Sequence, residues 1–221
     1  MLEAASAWAS LDESWRAAFE EAWASYCSGS AGVGAAITNP SGTIVAIGRS
    51  RVFDPPDGSA PLAGTFMAHA EMNALACLPV GLYDDYTLYT TFEPCVMCAA
   101  TIRIYRIPRL FYAADDPVWD GLHDMFATFE PIARALPKRD CLGGPYGAFA
   151  HVLHLSWLAE RWPHQVMDAH GSRAPRELEL AATLAETGNL RGLAEDGATV
   201  VTATASIWPD LHELCDDRSS G

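Results

Sequence analysis

No run of apolar residues in this chain approaches the roughly 20 needed to span a bilayer. The first fifteen residues, MLEAASAWASLDESW, hold neither a basic stretch nor an apolar one, so no secretion signal is expected and a soluble, cytoplasmic protein is. Basic residues are scarce: 14 Lys and Arg stand against 28 Asp and Glu, for a net charge of −14. The deficit is spread out, with 9 basic and 17 acidic residues in 1–140 and 5 and 11 in 141–221. Nucleic-acid affinity comes largely from Lys and Arg displacing counterions, so this balance disfavours nucleic acid as a partner. Internal repeats and low-complexity tracts are absent too. Six cysteines without a secretion signal read as thiols and metal ligands rather than as a disulfide framework.

What is present is a chain of 221 residues, half of them hydrophobic, enough for one well-cored domain with an appendage or for two small ones. Trp8, Leu11, Trp15, Phe19, Trp23 and Tyr26 recur at spacings of three and four, which predicts a helix over 2–27 packed on a core. Val33–Thr38 and Thr43–Gly48 read as strands joined by the turn Asn39-Pro40-Ser41-Gly42. A helix is expected from His69 to about Leu78 and a strand over Tyr86–Thr91. Pro94 should open a helix reaching about Tyr105, and Leu110–Ala114 reads as another strand. Strands alternating with helices imply a layered α/β sheet covered by helices. Beyond it, 116–134 looks partly helical, 137–147 looks like a boundary, and 148–161 and 175–187 look helical with a loop between. Residues 198–207 fit either strand or helix. The division expected is a core over 1–140 and a mostly helical extension over 141–221.

Chemistry concentrates at two expected helix starts separated by a strand. The first carries His69-Ala70-Glu71, the second Pro94-Cys95-Val96-Met97-Cys98. Zinc takes thiolate and imidazole ligands tetrahedrally, and catalytic sites leave one position to water. Cys95 and Cys98 are one helical turn apart and can grip one ion, with His69 as third ligand. At a helix tip, Glu71 can reach the water position while His69 turns to the metal. A carboxylate there can take a proton from water and pass it to a departing amine.

HAE followed by PCVMC matches the zinc deaminase signature H-x-E…P-C-x-x-C. The stretch AHAEMNAL…LYTTFEPCVMCAATI…RIPRLFYAADDP resembles the branch of the cytidine deaminase superfamily that holds bacterial guanine deaminases and tRNA adenosine deaminases, over roughly residues 30–120. The resemblance implies a three-layer α/β/α fold around about five strands. It also implies zinc on His69, Cys95 and Cys98, Glu71 as proton shuttle, and hydrolytic release of ammonia from a nucleobase, nucleoside or related heterocyclic amine, with a guanine-like or cytosine-like free base favoured. The Ala70 N–H would contact the substrate ring. Ser50 falls where many relatives carry a substrate-contacting Asn, and is too short to offer an amide's paired donor and acceptor. Related deaminases form dimers, which implies a homodimer.

Several residues keep two readings. Asp115 and Asp116 are substrate contacts or solvated loop carboxylates, and Trp119 stacks on a heterocycle or fills the core. Arg103, Arg106 and Arg109 read as structural or ion-paired rather than as a phosphate site. His151 and His154, three apart on an expected helix, have the spacing of a metal pair, but more often such a pair is packed or solvated. Phe149, Leu153 and Trp157 form a stripe that must be covered, by the core as a lid, by a partner, or as a cap away from the zinc. As alternatives, the chain is a tRNA-editing adenosine deaminase, against which its charge counts, or a non-catalytic zinc scaffold, against which Glu71 counts.

Overall fold

The computed structural model describes residues 2–56, 58, 60–161 and 167–218. Two helices, α1 (Leu2–Ser10) and α2 (Glu13–Cys27), precede strands β1 (Gly34–Thr38) and β2 (Ile44–Arg49). Then come α3 (Ala70–Ala76), β3 (Thr87–Phe92), α4 (Val96–Ile104) and β4 (Arg109–Ala114). A 3-10 turn (Pro117–Trp119), two short helices, α5 (Leu122–Ala127) and α6 (Glu130–Ala133), and β5 (Lys138–Cys141) complete this half. The long α7 (Gly144–Arg161) is followed by α8 (Met167–Arg173), α9 (Pro175–Thr187), α10 (Asn189–Glu195), α11 (Val200–Ser206) and α12 (Trp208–Arg218). Among the described residues no helix is long and apolar enough to cross a membrane.

The five strands form one sheet in the order β2-β1-β3-β4-β5. β1 runs antiparallel to β2 and β3, while β3, β4 and β5 are parallel. Helices α2 and α7 cover one face, and α3 and α4 the other, so the fold is the three-layer α/β/α sheet. β1 is buried on both faces, which explains its small residues GAAIT. A Cβ on Gly34 would stand 2.1 Å from the carbonyl oxygen of Ala18, so glycine is what lets α2 lie on the strand. Gly48 plays the same part on the other face, where a Cβ would be 2.4 Å from Ala70 O. That close approach sets the start of α3.

Several boundaries differ from the sequence-based expectation, each for a local reason. The expected helix over 2–27 is two helices, broken at Leu11-Asp12, where Leu11 N–H turns back to Trp8 O. Apolar periodicity continues across such a break, whereas Ser10 and Asp12 favour helix ends. Helix α4 begins at Val96 with Cys95 as its N-cap, so Pro94 precedes the helix rather than opening it. The stretch expected to be a boundary carries β5, whose sequence KRDC gives no apolar alternation because it pairs only with β4, at the sheet edge. Residues 198–207 are helical, with Thr199 capping α11 by accepting a bond from Thr202 N–H. The stretch expected to be a loop between the two late helices contains α8; residues 162–166 of that stretch lie outside the described residues.

One hydrophobic cluster joins Trp15, Phe19 and Trp23 of α2 to Phe149, Leu153 and Trp157 of α7 and on to Leu190, Trp208 and Leu211. The stripe on α7 is thus covered within the chain.

Candidate metal centre and active site

The two helix starts converge because α3 and α4 lie on the same face of the sheet, each entering from the end of a strand or its loop. His69 and Cys95 are the N-cap residues of α3 and α4, both in extended conformation. Asn73 pins α3 by donating to Arg49 O at 2.9 Å and Ala68 O at 3.1 Å. His69 Nδ1 lies 3.5 Å from Cys95 Sγ and 3.5 Å from Cys98 Sγ, and the two sulfurs are 3.6 Å apart. Zinc bond lengths of about 2.3 Å to sulfur and about 2.0–2.1 Å to nitrogen give tetrahedral edges of roughly 3.5–3.8 Å, so the triangle fits one zinc ion. Among the described residues these three are the group with metal-ligand spacing. The sulfurs form a coupled pair. Contact with Cys98 pushes the Cys95 thiol down to about 4, while the same contact and burial push Cys98 well up.

Glu71 is 3% exposed, on the first turn of α3. Its Oε1 accepts a bond from Thr90 Oγ1 at 3.1 Å, and its Oε2 lies 3.4 Å from Cys98 Sγ. Burial raises its pKa above the ordinary carboxylate value, partly opposed by the charge of His69. Thr90 went unnoticed in the sequence, where an alternating strand holds many threonines and nothing marks this one.

A cavity of about 320 Å³ opens over this centre. His69, Ala70, Glu71, Cys95, Ser50 and Trp119 all line it. Ser50 is buried directly after β2, with its N–H bonded to Val33 O. Asp116 lines it as well, its N–H donating to Glu93 Oε2 at 3.0 Å and its Oδ1 accepting from Val118 N–H. Burial pushes the Asp116 carboxyl up to about 7. Asp115 is placed elsewhere: it is exposed and lines a neighbouring, more polar cavity of about 650 Å³, which shares Glu93 and Asp116 with the first.

The remaining walls come from segments with no motif. Phe92 ends β3, Phe53 comes from the loop after β2, and α7 supplies His154, Trp157 and Leu158. These walls are tied together. Arg49 holds Asp54 through both carboxylate oxygens, Phe53 packs on Trp157 at 5.2 Å, and Trp157 Nε1 donates to Gly29 O at 2.8 Å. The arginine cluster is structural: Arg103 donates to the carbonyls of Pro131 and Ile132, Arg106 pairs with Asp84, and Arg109 bonds Thr87 and Asp85 O.

Residues 9–114 match the model of the cytidine and deoxycytidylate deaminase zinc-binding region. Over that stretch the chain is similar to the cytidine deaminase superfamily, and His69, Cys95 and Cys98 form a possible metal site. The guanine deaminase of Bacillus subtilis (strain 168) is 37% identical over 110 residues, 45% of this chain and 65% of that protein. A tRNA-specific adenosine deaminase of Rickettsia felis is 48% identical over 52 residues, 22% of this chain and 36% of that one. A solved structure from studies of A-to-I editing by tRNA:A34 deaminases matches with a TM-score of 0.51 at 26% identity, covering 63% of this chain and 97% of that one. The chain thus spans less than two thirds of the length of these two curated relatives.

Proposed function

We propose that the protein is a zinc-dependent hydrolytic deaminase that replaces the exocyclic amine of a small nitrogen heterocycle with a carbonyl and releases ammonia. The observation that carries this reading is the Glu71 carboxylate, buried beside the His69/Cys95/Cys98 triangle on the wall of a cavity sized for one heterocycle. A structural zinc site needs no such group. Zinc held by those three residues supplies Lewis acidity toward water. Thr90 holds Oε1 and so fixes the carboxylate plane, leaving Oε2, on the sulfur side, to take a proton from water and return it to the departing amine. A raised pKa suits a group that must carry that proton near neutral pH. Ala70 and Ser50 border the ring position, Trp119 offers a stacking face, and Asp116 offers a carboxyl.

The volume of about 320 Å³ is near the low end for small-molecule sites and favours a free base over a nucleotide. A cytoplasmic homodimer, as in related enzymes, completes the proposal. The test is an ammonia-release screen over guanine, cytosine, adenine, their nucleosides and melamine, with the zinc-loaded protein and its Glu71→Gln variant. We expect turnover on at least one free heterocycle, and a loss of about 10²–10⁴-fold in the variant at unchanged zinc content. No ammonia from any compound, or a variant as fast as its parent, removes the reading.

A second reading, tRNA editing, draws support from the tRNA deaminases among the relatives. The net charge of −14 opposes it. A gel shift at physiological salt should show no tRNA binding, and tight, salt-sensitive binding would reverse the ranking.

A further inference from the structure

Helix α7 lies outside the matched family region, yet it forms part of the catalytic cavity through His154, Trp157 and Leu158. Trp157 and Leu158 belong to the hydrophobic cluster beneath. His154 is different. It is half-buried, and its ring packs on Phe92 with centroids 4.5 Å apart and planes inclined at 35°. Its Nδ1 is buried and has no hydrogen-bond partner. With no accessible surface, that atom is out of a ligand's reach; the ring lines the cavity and can meet a ligand only through its accessible side. His151 Nε2 and His170 Nδ1 lie 3.0 Å apart, and His170 Nε2 is itself buried without a hydrogen bond, so what sets His154 apart from these two is that it lines this cavity. Nor does a metal explain His154, because among the described residues it belongs to no group with ligand spacing.

Burial, together with His170 and His69 nearby, pushes the His154 imidazole down to about 3, so the ring is neutral at physiological pH. A neutral imidazole carries one N–H donor and one acceptor nitrogen. It stands in a cavity whose other walls include Phe53, Phe66, Phe92 and Trp119, surfaces suited to the faces of a flat ring. Those walls hold a ring without reading its edge.

We propose that His154 is a specificity-determining residue of the deaminase site, hydrogen bonding the polar edge of a planar, uncharged nitrogen heterocycle held among the aromatic walls. This rests on the deaminase reading and narrows it: the substrate is a free heterocyclic amine with ring nitrogens along the edge that meets α7. The extension is then part of the active site of its own chain.

The test uses the full, zinc-loaded protein in a Glu71→Gln background, so that binding is read without turnover. His154→Phe keeps the aromatic packing on Phe92 and removes both nitrogens; His154→Gln keeps a donor and an acceptor. Dissociation constants for guanine, cytosine, adenine and melamine are measured by calorimetry, with zinc content and melting temperature as checks. We expect His154→Phe to weaken the tightest binder roughly tenfold and to change the rank order of the four, with His154→Gln restoring most of both. Should His154→Phe not fold, His154→Leu removes the same nitrogens and is read the same way. Unchanged affinities and rank order in the Phe or Leu variant overturn the proposal and leave the deaminase reading standing. If the unaltered protein neither binds nor deaminates any of the four, both fall.

Discussion

Asp116 shows how far one position can depart from its intrinsic chemistry. Its carboxyl is 8% exposed, and burial lifts it from the ordinary value of 3.8 to about 7. Because the folded value is raised, the native state keeps a proton that the unfolded chain has released between about pH 4 and 7. The stability this contributes is present at low pH and lost as the pH rises through about 7. Asp116→Asn should therefore gain stability relative to the unaltered protein as pH rises, by on the order of 2 kcal/mol between pH 5 and 8. Urea midpoints at the two pH values measure it; a difference that stays constant contradicts the buried, protonated carboxyl. The same desolvation leaves His154 and His170 neutral at physiological pH, at about 3 and about 4. Their folded values are depressed, so they favour stability in the opposite direction, lost as pH falls below about 6.5, and the Asp116 effect has to be read as a difference between variants.

The element that sets the site is α3, and its position depends on a strand residue that performs no chemistry. Gly48 lets β2 approach so closely that a Cβ there would meet Ala70 O at 2.4 Å and Ala74 N at 2.5 Å. Both are backbone atoms, so α3 would have to move. The helix carries His69 at its cap and Glu71 in its first turn, and both tolerate little displacement. We expect Gly48→Ala to cost about 1–3 kcal/mol in stability and to lower zinc affinity as well. Thermal melts and competition with a zinc chelator read the two effects; a variant as stable and as zinc-tight as its parent would show that the sheet yields instead.

For the whole molecule, the question is how the last third relates to the rest. Buried side chains of α2, β3 and β4, Phe19, Phe92 and Ala113 among them, share one cluster with Phe149, Leu153, Leu190 and Leu211. A Cβ on Gly147 would stand 2.5 Å from Ala113 O, so α7 leaves the sheet edge in tight contact with β4. Deleting the residues after Gly147 would uncover this face of the sheet. We expect the truncated chain to aggregate or to lose cooperative unfolding, checked by size-exclusion chromatography and circular dichroism. A soluble, fully active truncation would mean that the extension is a dispensable cap.

The sequence alone determined the α/β class, the order of helices and strands as far as β4 except for the break between α1 and α2, and the three residues that the fold brings together as a possible metal site. These depend on local rules: apolar periods of two and near four, turn residues, and ligand spacings within one helical turn. His69 and Cys95 were legible because zinc chemistry restricts both residue type and spacing. Tertiary structure decided the rest. β5 was invisible as KRDC, since an edge strand owes its place to a neighbour rather than to its own pattern. Asp115 and Asp116 are adjacent in sequence, yet of the two only Asp116 lines the cavity over the metal centre, because successive residues leaving a strand point apart. Nothing local told that Thr90 would bond Glu71 of α3, or that α7 would fold back over the sheet to pack His154 on Phe92. Their contacts join residues some 20 to 60 positions apart, and a one-dimensional pattern has no term for such distances.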